Sequence, residues 1–184
     1  GTKGEKSRNE IDKLIKQAGN FYQDMADLEG RGRFPGQDKF NVAVGGGGYD
    51  NGDASSVISN AQAKERSDEH MLDVMIDLGI DPAGSDGWRN YDEGHENEWV
   101  SCFGTTNADA PLPEDVDGGI IDNEKGVEEW KALVGGETLT SQFQDGHYVY
   151  TVIAGYGSGT SVYPPVLFVG DIENMVHFNN VLEP

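Results

Sequence analysis

The chain has little cysteine, few bases beyond its first fifth and no long apolar run, and each shortage narrows what it can be. Cys102 is the only cysteine of 184 residues, so no internal disulfide forms and the core must hold the fold. Nothing near Cys102 activates a thiolate, which reads as a buried, inert thiol. Eight of the thirteen bases lie in residues 1–39 beside seven acids, leaving 26 acids against five bases in residues 40–184. That body repels phosphate backbones and anionic lipid surfaces, so no nucleic-acid partner is expected. Solubility in a saline or extracellular setting, cation binding, and a strongly basic protein partner each remain as reasons for the acidity. No segment is apolar and long enough to span a membrane, and there is no secretory signal. The chain begins Gly1-Thr2 without Met, which leaves room for an apolar segment upstream.

Catalytic patterns are also lacking. His70, His95, His147 and His177 are scattered, with no His-x-x-x-His pairing for a metal. His95 lies in YDEGHENE, where carboxylates favour its charged form and a solvated loop position is expected. There is no Gly-x-Ser-x-Gly elbow. GGGGYDNGD lacks the Lys-Ser/Thr of a phosphate loop, and its acids would repel phosphate. The expectation is a protein with neither catalysis nor a small-molecule substrate.

What is present begins with a helix. Ile11, Leu14, Ile15, Ala18, Phe21, Tyr22, Met25 and Leu28 recur at steps of three and four. Asp12, Lys13, Lys16, Asn20, Gln23, Asp24 and Asp27 fall on the other side, which predicts an amphipathic helix of roughly twenty-five residues. Gly30 ends it, and Gly32 and Pro35 prevent its resumption. KFNVAV reads as a short strand. A second helix is expected over Ser67–Leu78, with Met71, Leu72, Met75 and Leu78 inward and Gly79 closing it. A long acidic loop leads to EWVSCF, a short strand. Asp122 or Asn123 caps a helix through Val134 that buries Val127, Trp130 and Val134. TLTSQF, HYVYTVIA and YPPVLFV read as strands, and Pro164 and Pro165 push the last toward an edge or delay its start. A final helix is expected from Ile172 to Leu182, capped by Asp171.

The order predicts an α+β fold: a long N-terminal amphipathic helix packed on a small antiparallel sheet, with short extra helices and long loops. Residues 1–184 form one domain in this reading. Residues 1–30 are the lead helix, 31–100 a loop region with a short helix, and 101–184 a sheet region with a C-terminal helix.

EDVDGGIIDNEKGVEEW, Glu114 to Trp130, carries the strongest chemical signal. Calcium takes oxygen ligands from carboxylates spaced along a tightly turned loop. With Gly118 at the turn, Asp115 and Asp117 take early ligand positions and Glu124 the last, bidentate one. Pro113 stands where a helix–loop–helix calcium motif needs its first Asp, which removes the strict motif. Two readings stay open: a looser calcium site using Asp115, Asp117, Asp122 and Glu124, or an exposed acidic loop capping the next helix.

Three blocks in order carry a family resemblance. NFYQDMADLEGRGRFPG resembles the end of the lead helix in type IV pilin-like proteins and pseudopilins, and Pro35-Gly36-Gln37-Asp38 is close to the Pro-Gly-Asp that follows it in some members. DVDGGIIDNEKGVEEWKALVGGE resembles their acidic, glycine-containing loop and the helix after it. GDIENMVHFNNVLEP resembles the short C-terminal helix of some members. The family's usual C-terminal cysteine pair is not present. The resemblance implies a non-catalytic structural subunit of a type IV pilus or type II secretion pseudopilus. It would be anchored in the inner membrane through an N-terminal helix upstream of Gly1, periplasmic or at the cell surface, with other pilin or pseudopilin subunits as partners. The composition alone leaves an alternative, a soluble acidic protein that antagonises a basic partner.

Overall fold

Tyr148–Ile153 is buried at every position, where a half-exposed strand would alternate. A strand of that kind needs cover on both faces, and the architecture follows from it. The structure, a computed structural model, describes residues 3–45, 58–79, 99–101, 123–134, 148–171 and 175–184. In chain order these form α1 (Lys3–Glu29), α2 (Asn60–Asp77), β1 (Val100–Ser101), α3 (Asn123–Leu133), β2 (Tyr148–Ile153), β3 (Tyr156–Ser158), β4 (Ser161–Tyr163), β5 (Val166–Asp171) and β6 (Asn179–Leu182). β1, β2, β5 and β6 make one antiparallel sheet in the spatial order β1-β2-β5-β6, and β3 and β4 pair as a separate hairpin.

The sheet has helices on both sides. Tyr148, Tyr150 and Val152 of β2, with Leu167 and Val169 of β5, meet Ile11, Leu14 and Ala18 of α1 and Trp130 of α3. The alternate residues Val149, Ile153 and Phe168 meet Val74 and Leu78 at the end of α2, with Trp99 and Met175. Each large apolar side chain buried this way contributes about 1.5–3 kcal/mol, so two filled faces outweigh any single cap or turn.

The α+β expectation holds: α1 lies on the antiparallel sheet, against β5 and β6. At about 1.5 Å per residue its 27 residues span roughly 40 Å. Its stripe stops short of the expected end, since Leu28 is 78% exposed. Phe34, coming back after Gly30, instead packs on Tyr22 with ring centroids 5.2 Å apart.

Other expectations need correction. α2 starts at Asn60, not Ser67, because Ser59 and Gln62 form a reciprocal capping box. Its inward face holds Ala63, Ser67, His70, Val74 and Asp77, so Leu72 is 48% exposed. KFNVAV forms isolated bridge residues and not a strand, with Val44 paired to Val152. β5 begins directly after Pro165 and lies between β2 and β6, so the prolines delay the strand and do not place it at an edge. The hairpin of β3 and β4 was not anticipated. TLTSQF lies outside the described residues.

The expected helix over Ile172–Leu182 is wrong in its C-terminal part. Residues 175–178 turn, and Asn179–Leu182 is the edge strand β6. Side-chain amides and a close approach decide it. Asn179 Nδ2 donates to the Met175 and Val176 carbonyls, and the Asp171 N–H donates to the Phe178 carbonyl. A Cβ on Gly170 would lie 2.0 Å from Met175 Sδ, so the turn folds back over a residue without a side chain. On the edge itself, Asn180 Oδ1 accepts the Val181 N–H and Asn180 Nδ2 reaches Asp12 of α1. That occupies a backbone donor which an edge strand would otherwise offer to another chain.

Candidate functional site

The densest polar constellation lies where α1 ends. Gly30, with φ of 88°, lets the chain leave the helix, and RGRFPGQ then turns beneath α3. Arg33 is buried in that turn. Its Nη1 and Nη2 donate to Glu129 Oε1 and Oε2 at 3.0 and 2.8 Å, a bidentate pair across to α3. Its Nε donates to Glu29 at the end of α1 at 3.0 Å, and Nη1 also donates to the Gln37 carbonyl at 3.0 Å. The guanidinium carbon stands 5.2 Å from the Phe21 ring centroid. Burial works against the charge of Arg33, but its hydrogen bonds to Glu129 and Glu29 more than offset this and raise its pKa. One cation therefore joins α1, the turn and α3.

The turn is built to allow it. Gln37 accepts the Phe34 N–H through Oε1 at 2.7 Å and donates from Nε2 to the Val42 carbonyl at 2.7 Å. The Gly36 N–H donates to Glu129 Oε1 at 3.1 Å. Gly36 has φ of 90°, and a Cβ there would lie 2.5 Å from the Tyr150 hydroxyl. Gly126 of α3 faces it, where an added Cβ would come 3.1 Å from Gly36 Cα. The two glycines let α3 sit against the turn, with Trp130 edge-on to Tyr150 at 5.1 Å.

A second polar row pins α2 to the sheet. Ser67 donates to the Ala154 carbonyl at 2.9 Å, and Trp99 Nε1 donates to Asp77 Oδ2 at 2.9 Å. His70 Nε2 is 3.0 Å from Thr151 Oγ1, which itself donates to the Val44 carbonyl at 2.8 Å. The hydroxyl has one proton and a carbonyl can only accept, so Nε2 of His70 must be the donor to Thr151. Burial pushes the His70 pKa down to about 3, and the ring is neutral at ordinary pH.

The sequence-derived ligand set is not brought together here. Asp115, Asp117 and Asp122 lie outside the described residues, and Glu124 stands in α3 with its side chain outside them too. Among the described residues, no group of three His, Cys, Asp or Glu is placed to hold a metal. His95, His147 and Cys102 also lie outside the described residues, while His177 is exposed. Glu129, in the same stretch, is committed to Arg33. A groove of about 310 Å³ between α2 and the hairpin is lined by Met71, Tyr156, Tyr163 and Pro164, with Asp68 and Glu183 at its rim. Tyr156 and Tyr163 stack across the hairpin at 4.7 Å.

Sequence reasoning missed the Arg33–Glu129 pair because the partners are 96 residues apart. Its one local sign is an Arg beside a Phe-Pro-Gly turn. The Ser67–His70–Asp77 row had a sign of its own, polar residues at steps of three and seven where an apolar face was assumed. Chemically, these contacts hold elements in place. They fix α1, the turn, α3 and α2 against one sheet. Comparisons with protein-family models, with curated proteins and with solved structures find no match in any of the three.

Proposed function

We propose that the chain is a non-catalytic structural subunit of the pilin-like kind, belonging to a type IV pilus or a type II secretion pseudopilus. The observation that carries this reading is α1: a helix regular from Lys3 to Glu29, fixed by Ile11, Leu14 and Ala18 to an antiparallel sheet and anchored at its far end by Arg33. In such a subunit an apolar helix upstream of Lys3 would sit in the inner membrane before assembly and in the filament core afterwards. Force on it would pass along α1 into the sheet through a packed interface, with Arg33 preventing the helix end from pulling off α3. This is a mechanical role, and buried, bidentate contacts suit it.

Cell fractionation tests the reading. The native protein should be found with the inner membrane and with sheared surface filaments, at the periplasmic face or cell surface. Recovery as a cytosolic monomer would contradict it. The acidity of residues 40–184 favours a second reading, a soluble antagonist of a basic protein. There, association with a cationic partner should weaken steeply between low and high salt, and a salt-independent interaction would count against it.

A further inference from the structure

Apolar, aromatic and acidic groups meet in the groove between α2 and the hairpin of β3 and β4. Met71, Tyr156, Tyr163 and Pro164 line it. Tyr163 is 57% exposed even though its ring stacks on Tyr156, so aromatic surface stays open to solvent. Further along α2, Leu72 lies in a second depression of about 370 Å³, and the two depressions meet at Asp68. Among the described residues, Leu72 and Tyr163 are two of four large apolar side chains left exposed, so one trough holds half of them.

The same trough is acidic. Glu65, Asp68 and Glu69 line it from α2, and Glu183 lines it just past β6. Lys64 is the one cation in its lining, and its Nζ pairs with Asp68 one turn away. Asp68 raises the Lys64 pKa most, and Tyr156 and Tyr163 add to it, so this lysine already stands beside the tyrosine pair. Glu65, Glu69 and Glu183 have no ion-pair partner among the described residues.

An open tyrosine face attracts a cation, and a guanidinium both stacks on such a ring and forks onto carboxylates. Length also bounds the occupant. Ala61 and Leu72, both in the lining, are about 16 Å apart along α2 at ~1.5 Å per residue. An extended segment advances about 3.3 Å per residue, so about five residues fill the trough. An anionic occupant would be repelled, and a second copy brings a net charge of −20 of its own.

We infer that the trough along α2 and the hairpin docks a short, extended, arginine- or lysine-bearing segment of a partner protein. Tyr163 takes the face of one cation, Glu183, Glu65 and Glu69 take the charge, and Met71, Pro164 and Leu72 cover the aliphatic stems. This holds for a filament subunit and for a soluble antagonist alike.

Anisotropy of fluorescein-labelled penta-arginine on the whole chain at low salt tests it, with penta-glutamate as the opposite-charge probe. Penta-arginine should bind and penta-glutamate should not. Tyr163→Ala should weaken binding about two- to fivefold and Glu183→Gln about twofold. Asp24→Asn makes the same charge change on the exposed side of α1 and should leave binding nearly unaltered. Lys64→Met removes the resident cation and should tighten binding more than Lys13→Met does on α1. Where Tyr163→Ala does not fold, Glu183→Gln and Lys64→Met, at exposed side chains, carry the test. Absence of penta-arginine binding, unchanged affinity in folded Tyr163→Ala, or equal losses in Glu183→Gln and Asp24→Asn would overturn the site. A dimer of the free chain that Tyr163→Ala dissolves would give the trough to a second copy and overturn it too.

Discussion

Acid should destabilise this protein through one histidine, and the size of the effect follows from where it sits. His70 is fully buried against Thr151 and has its pKa lowered from 6.5 to about 3. The unfolded chain exposes the same imidazole, which then takes a proton below about pH 6.5. A depressed pKa on a base means the unfolded state binds the extra proton, so the contribution is fully present above pH 6.5 and is lost as pH falls toward 3. The slope is about 1.36 kcal/mol per pH unit, or about 2 kcal/mol between pH 6.5 and 5. Carboxylates also titrate near the lower end, so the comparison needs a variant. His70→Gln retains an N–H that can reach Thr151 but cannot take the proton. Denaturant unfolding of both proteins in 0.5 M salt, from pH 8 to pH 5, gives the difference directly. That difference should be constant above pH 7 and then move by about 2 kcal/mol in favour of the glutamine variant by pH 5. A constant difference down to pH 5, or an imidazole that titrates near 6.5 in the folded protein, would refute the burial argument.

Other predictions concern the α1–turn–α3 junction and the surface. Glu129→Gln removes one of the two carboxylates paired with buried Arg33, leaving Glu29, and should cost about 1.5–3 kcal/mol in denaturant unfolding; a cost under about 0.5 kcal/mol would mean the pair is idle. Gly126→Ala gains helix propensity of about 1 kcal/mol but brings a Cβ to 3.1 Å from Gly36 Cα, so net destabilisation is expected in thermal melts. Leu28→Ser, at a side chain 78% exposed, should change stability by no more than about 0.5 kcal/mol, and a larger loss would place Leu28 in a contact.

The parts of the fold legible in the sequence are those written in local pattern. α1 shows a step of three and four, Gly30 marks its end, and the β-branched run from Tyr148 marks the central strand. α3 shows a capping candidate, Asp122 or Asn123, at its start. What was not legible depends on partners far along the chain. Ser67, His70 and Asp77 looked like the wet side of α2, and only Ala154, Thr151 and Trp99 make them the buried side. Residues 175–182 carry helical spacing, and only the Asn179 amide and the space above Gly170 make them a turn and a strand. The junction at Arg33 was hidden for the same reason, since Glu129 is an ordinary surface-type residue until α3 docks on Gly36. The two-sided cover of the sheet has a local sign too, the unbroken run of β-branched and aromatic residues in β2.

The most direct test of the structural-subunit reading is the N-terminal sequence of the mature protein, recovered from native membranes by intact mass and terminal peptide analysis. The account predicts about twenty predominantly apolar residues running into Gly1 and continuing α1 upstream, the length needed to span a bilayer. A mature protein that begins near residue 1, with no apolar segment before it, would contradict the account.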